Sequence, residues 1–160
     1  MPTFDTRIAR LAAAQFTQRQ ARARAAVRSG QMDPRTATQH LRPWLAIACH
    51  CGADLPDLTD GIAELRTRQV VWGEPGEVTE GEARARLADD ICPRAVWAPV
   101  LTKARDAAYT GPLTTAEQNA NAVALREIAS HLQFDPSGRH DIPFLDIAAA
   151  RAAQDRRAAA

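Results

Sequence analysis

The chain reads as an all-α protein, a single irregular bundle of six or seven helices with a long basic helix at its N-terminus. Three observations predict this. Apolar residues recur at steps of three and four through most of the 160 residues. Helix-start signals stand at Asp33-Pro34, at Thr79 with Glu82, and at Thr114 with Glu117. The one β-like run, Gln69 to Trp72, is too short to make a sheet without partners, so it reads as an extended plug into the core.

The first helix is expected over Asp5 to Ser29, with Gly30 as its stop. Phe4, Ile8, Leu11, Ala12 and Phe16 share its apolar face. The central helix follows, from Pro34 to Cys51, capped by Asp33 and ended by Gly52. Ala37, Leu41, Trp44, Leu45 and Ala48 mark its buried side. Pro43 lies inside it and should kink or divide it. A short helix is expected over Asp60 to Gln69, capped by Asp57 or Thr59, and Glu74 to Glu77 reads as a loop.

Thr79 and Glu82 open a helix to about Ile91. The next runs from Pro93 to Tyr109, with Val96, Trp97, Val100, Leu101 and Ala104 on its apolar side and Pro99 bending or dividing it. Another runs to about Leu132, carrying Ala122, Leu125, Ile128, Ala129 and Leu132. A last helix, Pro143 to Arg157, loses its apolar face toward the end. The length suits one domain, 1–160, with residues 1–30 as a basic helix able to project and 150–160 as a frayed tail. Aromatic residues are 5% of the chain, so the core must lean on a few large groups, and Trp44, Trp72 and Trp97 are expected to meet in it.

Charge is the most informative pattern. Residues 1–30 hold Arg7, Arg10, Arg19, Arg22, Arg24 and Arg28 against Asp5, a net +5, whereas residues 54–91 hold ten acids against four arginines, a net −6. Arg7, Arg10, Arg24 and Arg28 form a basic stripe on the first helix, while Arg19 and Arg22 fall back inside its apolar sector. Such a helix suits an acidic protein surface, either on a different protein or on another copy through Asp54 to Asp90. A nucleic-acid-binding regulator would place the same arginines on phosphates. The stripe has no interleaved aromatics for base stacking, and base reading would fall to Gln15, Gln18 and Gln20.

A small helical enzyme or metal protein would use Cys49, Cys51 and Cys92, near His50 and His40. The usual C-x-x-C pairs are missing, and neighbouring Cys and His on a helix reach each other poorly. No glycine-rich phosphate loop is present, and the acids around Asp54 to Glu64 do not match a calcium loop. The expectation is therefore a non-catalytic interaction protein without cofactor or metal. Apolar runs of about six or seven residues, against the roughly 20 of a membrane span, argue against a membrane role. The charged start MPTFDTRIAR and the odd number of cysteines point to the cytoplasm. Arginine in place of lysine, with abundant alanine, is a composition associated with GC-rich bacterial or phage genomes.

Overall fold

Six helices form among the residues described by the computed structural model, 4–71 and 78–133, and no strand is found among them. The expected loop at Glu74 to Glu77, Trp72, the last helix and the frayed tail all lie outside the described residues. The described residues fall into two compact units, one ending at Trp97 and the other starting at Ala98.

In the first unit, α1 spans Thr6–Arg28, and Asp5 caps it by accepting from the backbone N–H groups of Arg7 and Ile8. Ile8, Ala12, Gln15, Phe16 and Ala23 are its buried residues. The α2 helix, Pro34–His50, begins as its sequence dictates. Asp33 accepts from the Thr36 N–H at 3.0 Å, and Pro34 occupies the first turn. Both helices end on a glycine with positive φ, at 75° for Gly30 and 79° for Gly52. In each case the two residues after the cap donate back into the last turn. Gln31 and Gly30 bond to Ala26 and Val27, and Ala53 and Gly52 bond to Ala48 and Cys49.

Pro43 does not divide α2. The helix is continuous, and every residue from Pro43 to Cys49 except Leu45 is buried. The carbonyl that loses its partner belongs to Gln39, an exposed residue, so water can satisfy it. Burial on nearly all sides makes α2 the centre of the unit, with α1 packed on it from one direction and α4 from another.

The α3 helix is longer than the sequence suggests. It spans Pro56–Val71, starting at a proline in the first turn. Gln69 to Val71 are therefore helical, and the expected extended plug is not formed by them. With no partner strand, a helix already satisfying the backbone is the cheaper continuation for Val70 and Val71. The α4 helix, Glu80–Ile91, is capped by Thr79, whose hydroxyl accepts from the Glu82 N–H at 3.2 Å. It crosses α3 closely: a Cβ on Gly61 would stand 2.9 Å from Leu87 Cδ1.

The junction of α2 and α4 is polar and buried. The guanidinium of Arg84, a residue 6% exposed, donates from Nη1 to the carbonyl of Ala53 at 2.9 Å and to that of Cys49 at 3.5 Å. Its Nε pairs with Glu80 at 3.0 Å. In return, the Cys49 thiol donates to the Arg84 carbonyl at 3.2 Å. Phe4 lies 5.3 Å from the guanidinium and directly against Gly52.

The α5 helix, Arg94–Thr110, runs unbroken through Pro99 and passes from the first unit into the second. Position 95, whose carbonyl loses its partner, is exposed. Val96 is 50% exposed, so it leaves the apolar side expected for it, while Trp97 and Leu101 are fully buried. The α6 helix, Ala116–Gln133, opens with a reciprocal cap one residue later than the sequence reading placed it. Thr115 accepts from the Gln118 N–H, and Gln118 Oε1 accepts from the N–H groups of Thr114 and Thr115. Its buried residues are Ala122, Ala124, Leu125, Ile128, Ala129 and Leu132.

Two predictions follow from the ends of α1 and α2. Gly30→Ala should cost about 1 kcal/mol, the ordinary left-handed penalty, since nothing lies within 4 Å of the new Cβ. Gly52→Ala carries the same penalty and drives its Cβ to 2.3 Å from Phe4, so urea unfolding should show at least twice the loss. Phe4→Ala should then recover part of the difference in a double-mutant cycle. Separately, Arg84→Met should lower stability by about 3 kcal/mol by leaving buried carbonyls without a donor. Arg84→Lys should restore less than half of that in the same measurement, because an ammonium cannot serve Glu80 and the two carbonyls together.

Candidate functional site

Between α1 and α2 lies a cleft of about 360 Å³, lined by Arg19, Arg22, Ala23, Ala26, Met32, His40, Leu41 and Trp44. It contains the two arginines that break the apolar pattern of α1. Helical spacing places Arg19, Arg22, Ala23 and Ala26 along one strip of the helix, three and four residues apart. The second wall is α2, from which His40, Leu41 and Trp44 share a side at the same spacing. Met32 comes from the short link between the helices, held where its N–H donates to the Ala26 carbonyl at 3.2 Å.

Arg19 is fixed in this wall. Its guanidinium carbon lies 3.5 Å from the centre of the Trp44 ring. Its Nη1 donates to the Gln15 carbonyl at 3.1 Å and also to the Gln15 side-chain oxygen. Burial, with Arg22 adding like-charge repulsion, brings its pKa down to about 10. It therefore stays cationic near neutrality, but in surroundings that disfavour the charge. Among the described residues, no carboxylate lines the cleft.

The remaining sequence-selected arginines sit apart from the cleft on α1. Arg7, Arg10, Arg24 and Arg28 are exposed, as is Arg22. Among the described residues, Arg10, Arg22, Arg24 and Arg28 form no salt bridge. A direct link from α1 to the acidic segment goes through a neutral group, Gln20, whose amide donates to Asp57 at 3.2 Å. Gln15 is buried and committed to Arg19, so neither it nor Gln20 is at liberty to read a base edge. Trp44 is 6% exposed and has Arg19 stacked on it, which leaves no open indole face for a nucleobase.

The cysteines form a separate group. Cys49, Cys51 and Cys92 are free and buried. Burial pushes the Cys49 thiol up to about 11, against the opposing pull of Arg84. Cys51 is pushed further up by full burial, with Cys49 adding to it, and Cys92 is also raised by burial, against a pull from Arg42. Neutral thiols in an apolar setting are poor nucleophiles and poor metal ligands. Among the described residues, no three His, Cys, Asp or Glu side chains are placed to share one metal ion. His50 instead lies against Trp97, with ring centroids 5.3 Å apart. Trp44 and Trp97 thus have different ring partners, Arg19 in one case and His50 in the other.

Sequence reasoning found every arginine at the cleft but assigned no role to Trp44, Met32 or His40 there. The signal was the misplacement of Arg19 and Arg22 within an apolar sector. Among the described residues, no helix is long and apolar enough to cross a membrane. No protein-family model matches the chain, and no curated protein and no solved structure matches it.

The thiol environment makes a direct prediction. Cys49 and Cys51 should resist iodoacetamide at pH 8 in the folded protein and react within minutes in guanidinium chloride, as read by mass spectrometry. Their folded pKa values are raised, so the native state keeps protons that the unfolded state releases above about pH 8.5. Stability supplied by these groups is complete below that pH and is lost as pH rises toward the folded values. The melting temperature should accordingly fall between pH 9 and 11, and Cys49→Ala should flatten that fall.

Proposed function

We propose that the chain is a non-catalytic interaction protein that docks on an acidic protein surface through α1. The observation that carries this reading is the set of exposed arginines on one helix, Arg10, Arg22, Arg24 and Arg28, none of which is neutralised by a described carboxylate. Charge held open in this way steers an acidic partner and sets its orientation. The protonated, buried cysteines support binding over covalent chemistry. The occupied faces of Trp44, Gln15 and Gln20 favour a protein partner over a nucleic acid, since the groups that would stack on or read bases are already used.

The test uses two labelled polyanions of matched charge, a poly-glutamate peptide and a DNA duplex, followed by fluorescence anisotropy at low and raised salt. The peptide should bind, more weakly as salt rises. Replacing Arg22, Arg24 and Arg28 with Gln should weaken it at least tenfold and move the melting temperature by no more than a few degrees, because each exposed substitution of this kind shifts stability by about 0.5 kcal/mol or less. Arg19→Gln is a different substitution and should lower the melting temperature, through loss of the Trp44 and Gln15 contacts. Tight duplex binding without peptide binding would transfer the arginines to a nucleic-acid role, and binding of neither would remove the docking idea.

A further inference from the structure

We propose that the cleft between α1 and α2 is a specificity pocket for a carboxylate side chain flanked by an apolar residue on the docking partner; this rests on the docking reading above. Charge decides the first half of the occupant. Arg19 and Arg22 line the cleft beside His40, and no carboxylate among the described residues lines it. Arg19 is held by Nη1 alone, through Gln15, which leaves its Nε–Nη2 edge without a bond to a described residue. That edge is the one that receives a carboxylate through two parallel bonds. Stacking on Trp44 at 3.5 Å fixes the plane of the guanidinium, so little freedom remains to be lost on binding.

The lining decides the second half. Ala23, Ala26, Met32 and Leu41 give the cleft an apolar portion next to its two arginines. A phosphate backbone gains nothing from such a lining, whereas an aliphatic side chain adjacent to Asp or Glu removes it from water. A volume of about 360 Å³ lies at the small end of ligand pockets, suited to one or two side chains. Met32 lets the wall adapt to side chains of different shape. Burial and Arg22 both disfavour the charge on Arg19, and a bound carboxylate relieves the repulsion between the two cations directly.

The experiment compares two labelled nonapeptides of equal charge, one alternating Glu with Gly and the other alternating Glu with Leu. The full chain should bind the Glu/Leu peptide at least tenfold more tightly in fluorescence anisotropy. Ala26→Leu fills the cleft without touching a charge. It should erase that preference, with the fold checked by circular dichroism. Met32→Glu is the second variant. It puts a carboxylate beside the arginines and should weaken the Glu/Leu peptide at least tenfold with the helical signal intact. Equal binding of the two peptides to the unmodified chain, or a preference that survives both variants, overturns the pocket and leaves the electrostatic docking standing. Failure of both peptides to bind overturns both.

Discussion

The first unit depends on how the C-terminal end of α2 is satisfied. A helix leaves its last carbonyls without partners and gathers partial negative charge there. At the end of α2 those carbonyls lie in the driest part of the unit, where Cys49, Cys51 and Ala53 show no exposure at all. Water cannot serve them. Gly52 turns the chain so that two N–H groups fold back onto Ala48 and Cys49, and Arg84 reaches in from α4 to the carbonyls of Ala53 and Cys49. The cation answers both the missing donors and the helix dipole. Glu80 and the Phe4 ring offset its removal from water. The Cys49 thiol closes the arrangement by donating to the Arg84 backbone, so α2 and α4 hold each other from both sides.

This arrangement separates the arginines by role. Arg84 and Arg105 are buried and spend their charge inside the chain, Arg84 on Glu80 and carbonyls, Arg105 on its neighbour Asp106. Arg10, Arg22, Arg24 and Arg28 of α1 pair with no carboxylate among the described residues. The net +5 of residues 1–30 and the net −6 of residues 54–91 could have cancelled by direct pairing. One link between α1 and α3 is an amide-to-carboxylate bond, Gln20 to Asp57. A neutral donor at that position ties the two helices together and consumes no positive charge. Exposed arginines at helical spacing repel one another weakly, and the fold tolerates this because solvent screens them.

Much of the helical framework was legible in residues whose effect is local. Asp33 as a cap, Thr79 ahead of Glu82, and Gly30 and Gly52 as stops act over one turn, and one turn is what a sequence displays. The misreadings came where a second candidate stood close by or where a distant contact decided. At α3, Asp57 and Thr59 competed as caps with Pro56 in the first turn, and the proline prevailed. At α6, adjacent threonines allowed two cap registers, and the later one is taken, with the Gln118 amide oxygen serving two N–H groups. Pro43 and Pro99 looked like breaks, but the carbonyls they orphan belong to exposed positions, a property that only the packed structure reveals. Arg84 gave no local signal: its partners at Cys49 and Ala53 lie more than thirty residues away.

The candidate site was half legible for a related reason. A helical wheel could show that Arg19 and Arg22 occupy apolar positions, but it could not show α2 opposite them. Seen against Trp44, the placement of Arg19 is a local conflict: a charge half withdrawn from water, three residues from another of the same sign, with no acid among the described residues lining the cleft. A neutral residue at position 22 would relax that conflict with no loss of packing, since Arg22 is exposed and makes no salt bridge among the described residues. Conflicts between local preference and the global fold tend to collect where a protein acts on something outside itself. Here the conflict has a sign and a direction. It is a deficit of negative charge beside an apolar lining, and the group that would resolve it is a carboxylate carried on an apolar neighbour.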